Sequence, residues 1–94
     1  MKAVFSQAAL ADLDQILAYT ATHYPSLEAR LEQRIRDAIK RIERLPENAR
    51  LLEGAMNVRF VPLVRYPFKI FYSVDVDHIL ILHIHHTARQ QWSG

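Results

Sequence analysis

The sequence contains no cysteine. That excludes disulfides, thiolate nucleophiles and cysteine-ligated metal centres, and it fits a reducing compartment such as the cytosol. Glycine is nearly missing. With only Gly54 and Gly94, no glycine-rich loop can cradle a phosphate. The serines at 6, 26, 73 and 93 sit in no nucleophile motif, which leaves a Ser/His/Asp hydrolase without support. Apolar runs are short, as in Ile79–Leu82, whereas a membrane-spanning helix needs about 20 residues. The opening MKAVFSQAAL has one lysine, then Gln7 and soon Asp12, which is not the pattern of a secretion signal. Neither sign of charge dominates. Twelve Lys+Arg against ten Asp+Glu give +2 and a pI of about 9.2. This permits a nucleic-acid or acidic protein partner and requires neither.

What is present describes one small globular domain, residues 1–94. Half the chain is apolar and 23% is charged, an ordinary balance for a folded domain. Lys2–Phe5 reads as a short strand, and Ser6 as the N-cap of a helix. Leu10, Leu13, Ile16, Leu17 and Tyr24 keep a helical period. Pro25 ends this helix or opens the next, where Ser26 can cap. Leu27, Leu31, Ile35, Ala38, Ile39, Ile42 and Leu45 then form one stripe of a second, amphipathic helix. Pro46 stops it. Residues 47–57 read as loop. Val58–Val64 is a strand in which Pro62 implies an edge or a bulge. Tyr66-Pro67 is a turn signal, and Phe68–Val74 and Ile79–His86 are strands joined by a tight connection. The predicted fold class is α+β, in the order β-α-α-β-β-β. A helical hairpin packs on one face of a small, mainly antiparallel sheet.

The last strand carries the polar chemistry. Regular alternation puts Ile79, Ile81, His83 and His85 on one face and Leu80, Leu82, Ile84 and His86 on the other. Both faces begin apolar, yet the helices can cover only one, so a partner protein is expected on the other. His83 and His85 supply two metal ligands, but zinc takes three or four. No carboxylate lies in the strand, and Asp75 and Asp77 are at its far end, so neither a metal site nor a cofactor is expected. Arg59, Arg65, Lys69, Tyr72, His83, His85, His86 and Arg89 are the residue types a ribonuclease uses for proton transfer and charge stabilisation. As strand ends facing water they need no such role. Arg89 and Trp92 are of types enriched at interface hot spots. The stretch HIHHTARQQW is therefore read as a strand end and a surface tail for protein contact.

Several stretches carry a family resemblance. They are Asp12-Leu13 with Ile16 and Tyr19, Leu45-Pro46, Arg50, Gly54 and Val58-Arg59. With them stand Tyr66-Pro67-Phe68-Lys69-Ile70-Phe71-Tyr72 and the ending Ile81-Leu82-His83-Ile84-His85-His86-Thr87-Ala88-Arg89. In this order the chain resembles the RelE/ParE superfamily of toxins from type II toxin–antitoxin modules, the ParE branch most closely. The resemblance implies a cytoplasmic toxin of a plasmid-stabilisation type of module, held as a hetero-oligomer by a cognate antitoxin. It implies inhibition of DNA gyrase by protein contact, without membrane or direct nucleic-acid binding. The alternative it implies is a RelE-like ribosome-dependent mRNA interferase, an endoribonuclease. Under the first reading Arg59, Tyr72, His86, Arg89 and Trp92 meet partners. Under the second Arg59, Tyr72, His86 and Arg89 are catalytic. RelE-like nucleases often carry a C-terminal tyrosine or a His-Tyr pair. Here no tyrosine follows Tyr72 and Thr87 follows His86, which weighs against the nuclease.

Overall fold

The computed structural model describes residues 1–88. Strand β1 (Ala3–Phe5) leads into helix α1 (Gln7–His23), and a single 3-10 turn (Pro25–Leu27) passes the chain to helix α2 (Glu28–Arg44). Strands β2 (Arg50–Leu51), β3 (Arg59–Pro62), β4 (Phe68–Val74) and β5 (Ile79–His86) follow. The sheet order is β1-β5-β4-β3-β2, with β1 parallel to β5 and the other pairs antiparallel. The α+β class and the β-α-α-β-β-β order hold, with β2 as an addition inside the expected loop. A two-residue strand leaves no periodicity to read in a sequence. No helix among the described residues is long and apolar enough to cross a membrane.

Local chemistry explains most boundaries. The Ser6 hydroxyl accepts from the Ala9 N–H and donates to the Leu82 carbonyl, so the cap of α1 is also tied to β5. Ser26 does not cap α2. Leu27 stands at that position without a side-chain hydrogen bond, because Pro25 starts the 3-10 turn one step earlier. Pro62 pairs with Lys69 on β4, while β2 reaches only as far as Phe60. Its missing N–H therefore falls on an open edge.

Helix α2 buries Leu31, Ile35 and Ile42 against Ile70, Tyr72, Ile79, Ile81 and Ile84 of the two long strands. Leu13, Ile16 and Ile39 pack around them, partly exposed. Leu10 and Tyr24 continue the helical period of α1 on paper but are 49% and 55% exposed. The reason is where α1 lies. Strand β1 shields the edge of β5 only through Ile81, and α1 takes over where β1 stops. Asp12 on α1 accepts the Ile84 N–H at 2.9 Å and faces His83 Nδ1 at 3.1 Å. The helix thus seals a strand edge with a carboxylate as well as with apolar surface. Asp12→Ala removes that acceptor and strands a half-buried N–H, which should cost about 1–3 kcal/mol. Urea denaturation measures the loss. Asp12→Asn, which keeps an acceptor oxygen, should recover part of it.

The faces of β5 do not alternate as a regular strand would. The register steps between Phe71 and Tyr72, which oppose His83 and Ile81, so Leu82 is the extra residue of a β-bulge. After the bulge Ile84 joins Ile79 and Ile81 on the core side. A regular strand would have turned His83 into the core and Ile84 out to solvent. The second face is therefore less apolar than alternation implied: it carries Leu80, His83 and His85 rather than Ile84.

The β4–β5 connection holds a charged cluster. His78 Nδ1 lies 2.8 Å from Asp77 and its Nε2 3.5 Å from Asp75. The hydrogen bond to Asp77 raises the His78 pKa above the ordinary imidazole range, helped by the charges of Asp75 and Asp77. A raised folded-state pKa stabilises the fold while His78 is protonated. That contribution is complete below the unfolded-state value and is lost as pH rises through the folded one. NMR titration should place the His78 midpoint above that of an unpaired histidine, and Asp77→Asn should bring it back down.

Candidate functional site

A concavity runs between α2 and β3. Its volume is about 490 Å³, and Ala38, Ile42, Leu45, Phe60, Val61 and Leu63 form its apolar lining. Arg34, Arg41 and Arg50 stand around it together with Asp37. None of the three arginines forms an ion pair with another described residue. Beyond Phe60 the outer edge of β3 has no strand beside it among the described residues. The site therefore combines an apolar floor, a cationic rim and a free strand edge, three features that suit an extended or helical peptide.

Two side chains hold the loop that closes this groove. The Tyr72 hydroxyl donates to the Pro46 carbonyl at 2.7 Å, and Arg59 Nη1 donates to the carbonyls of Glu47 and Ala49 at 3.0 and 2.7 Å. Tyr72 is fully buried. Its burial pushes the phenol above the ordinary tyrosine range, with Arg59 pulling the other way, so it stays a neutral donor at physiological pH. Both residues were candidates for partner contact or catalysis. The structure puts them in the groove's foundation, where they set the path of residues 46–49.

A second constellation lies on the sheet face away from the buried core. His83 and His85 sit with ring centroids 4.6 Å apart, opposite Phe71 and Lys69 of β4. Phe71 packs against His85 at 5.5 Å and against Phe60 at 5.9 Å, and Lys69 Nζ rests 5.0 Å over the Phe60 ring. Asp12 supplies the carboxylate that the strand itself lacks. It comes from α1, seventy-one positions away from His83, and nothing in the local sequence of either element marks the meeting. His86 points to the other face, edge-on to Phe68 at 5.4 Å, and its Nδ1 accepts from the Ala88 N–H. Arg65 is an exposed turn residue with φ 73°. Arg89 and Trp92 lie outside the described residues. The candidates thus divide between two places: Arg59 and Tyr72 under the groove, and His83 and His85 with Asp12 and Lys69 on the open face.

Comparison with known proteins follows this geometry. The family model described as "ParE toxin of type II toxin-antitoxin system, parDE" matches residues 3–91. A solved structure titled "Chromosomal ParDE TA system from P. aeruginosa" is similar at a TM-score of 0.80 and 26% identity. The match covers 92% of this chain and 95% of that one. No curated protein matches the chain.

Proposed function

The chain belongs to the ParE toxin family of type II toxin–antitoxin systems, and from that premise we propose that it is a toxin that inhibits DNA gyrase and is neutralised by a cognate antitoxin. The observation that carries the antitoxin half is the groove between α2 and β3. Its apolar lining and its three arginines, which form no ion pair with another described residue, suit an amphipathic acidic segment that orders on binding. Complex formation takes place in the cytoplasm and gives a hetero-oligomer.

The competing reading is ribosome-dependent mRNA cleavage. Asp12 beside His83 favours it, since a carboxylate-oriented imidazole is suited to proton transfer. Against it, Arg59 and Tyr72 are spent on backbone carbonyls. A nuclease would need both of them free to meet the scissile phosphate. The gyrase reading asks no chemistry of any side chain. Purified toxin should therefore block gyrase supercoiling and leave ribosome-bound mRNA intact, and antitoxin should restore supercoiling. Cleaved mRNA with unimpaired supercoiling would reverse the assignment.

A further inference from the structure

We propose that Asp12, His83 and His85 form a zinc-binding site on the open face of the sheet. Each offers one ligand atom, and these atoms all lie within 4.8 Å of one another. Ligand atoms bound tetrahedrally to zinc at about 2.0–2.2 Å stand roughly 3.3–3.6 Å apart. The Asp12–His83 edge, at 3.1 Å, is already close to that spacing. The wider separations close when the partly exposed His85 side chain turns by an ångström or so. The ion then takes the place of the hydrogen that His83 Nδ1 shares with the Asp12 carboxylate.

The donor set selects the metal. Two imidazoles and one carboxylate suit zinc and its first-row neighbours, whereas magnesium and calcium take oxygen ligands. Three protein ligands leave the fourth tetrahedral position to water, the arrangement of an open zinc site. The Asp12 ligand is held in place by the backbone of β5. The Ile84 N–H donates to Asp12 Oδ2 at 2.9 Å, which fixes the carboxylate before any ion arrives. The β-bulge at Leu82 turns the shared face of His83 and His85 away from the core, and Phe71 packs against the His85 ring. Lys69, opposite His85 on β4, has its ammonium over the Phe60 ring. The groove is built from other residues, so the site does not depend on which partner the groove takes.

Titration calorimetry with zinc chloride on the untagged protein tests the site, with Co²⁺ as a spectroscopic stand-in. The expected result is saturable 1:1 binding and the intense visible absorption of tetrahedral Co²⁺. His85→Ala should lower affinity by more than the roughly 10–100-fold that loss of an outer-shell partner costs, and it should abolish the Co²⁺ band. Circular dichroism checks that substitution of this partly exposed residue keeps the fold. His83→Ala should behave in the same way. His78→Ala, which dismantles the Asp75–Asp77–His78 cluster, should change neither reading. The proposal is overturned if wild-type protein shows no saturable zinc binding. It is equally overturned if His83→Ala/His85→Ala binds as tightly as wild type, or if His78→Ala removes the binding.

Discussion

Ile35→Asp is expected to unfold the domain. Ile35 is 2% exposed and lies at the centre of the α2 stripe, within the cluster that includes Ile70, Tyr72 and Ile81. Aspartate there loses the burial of the isoleucine side chain and places a carboxylate among apolar groups with no partner. Losing the side chain alone costs about 2–5 kcal/mol, and the uncompensated carboxylate adds to that unless it takes up a proton. A domain of this length has a total stability of roughly 5–14 kcal/mol. Most of it disappears. Thermal melting by circular dichroism should show no cooperative transition, or one displaced by tens of degrees, on the order of 4–8 °C per kcal/mol. Ile35→Val, which trims one methylene, should cost only about 0.5–1.5 kcal/mol. Leu10→Asp on the exposed side of α1 should stay within about 0.5 kcal/mol. A wild-type melt for Ile35→Asp would mean that α2 does not bury this stripe.

The contrast between Ile35 and Leu10 shows what was legible in the sequence. The stripe on α2 is a pattern within one element, its steps of three and four are plain, and Leu31, Ile35 and Ile42 are buried as the period requires. Ser6 as a cap and Pro62 on an edge are equally local and were equally readable. Helix α1 carries the same kind of period at Leu10, but it lies along a strand edge, and periodicity carries no information about what a helix packs against. The bulge at Leu82 is invisible for a related reason. Alternation assumes that each strand residue opposes one partner. One extra residue reverses every assignment beyond it, so Ile84 turns inward and His83 outward. The meeting of Asp12 with His83 depends on both the bulge and the packing of α1. That is why a reading confined to the last strand found no carboxylate for its histidines. Arg59 and Tyr72 stand out in the sequence as candidates for partner contact or catalysis. That they hold the carbonyls of Pro46, Glu47 and Ala49 became apparent only when the loop had a path.

The paired substitution Arg41→Glu/Arg50→Glu should break antitoxin binding without harming the toxin's fold. Both arginines are exposed and neither forms an ion pair with another described residue, so the stability of the free toxin should move by only about 0.5 kcal/mol. At the groove the consequence is different. The rim changes from three arginines with one aspartate to one arginine with three acids. An acidic segment entering the apolar lining now meets like charge on both sides. Encounter slows because attraction has become repulsion, and the docked complex loses its charge pairs. Affinity should fall on the order of a hundredfold, about 2.7 kcal/mol. Salt distinguishes this from a folding defect. Binding by the wild type should weaken between low and physiological ionic strength as screening shortens the reach of the arginines, whereas binding by the variant should hold steady or improve. In cells the variant toxin should escape neutralisation while the wild type is silenced by the same antitoxin. If the variant is bound and silenced as well as wild type at low salt, the antitoxin does not use this groove. Arg59 is left in place in this design because its guanidinium holds the loop beneath the site. Replacing it would disturb the groove's shape together with its charge, and the electrostatic contribution could no longer be separated.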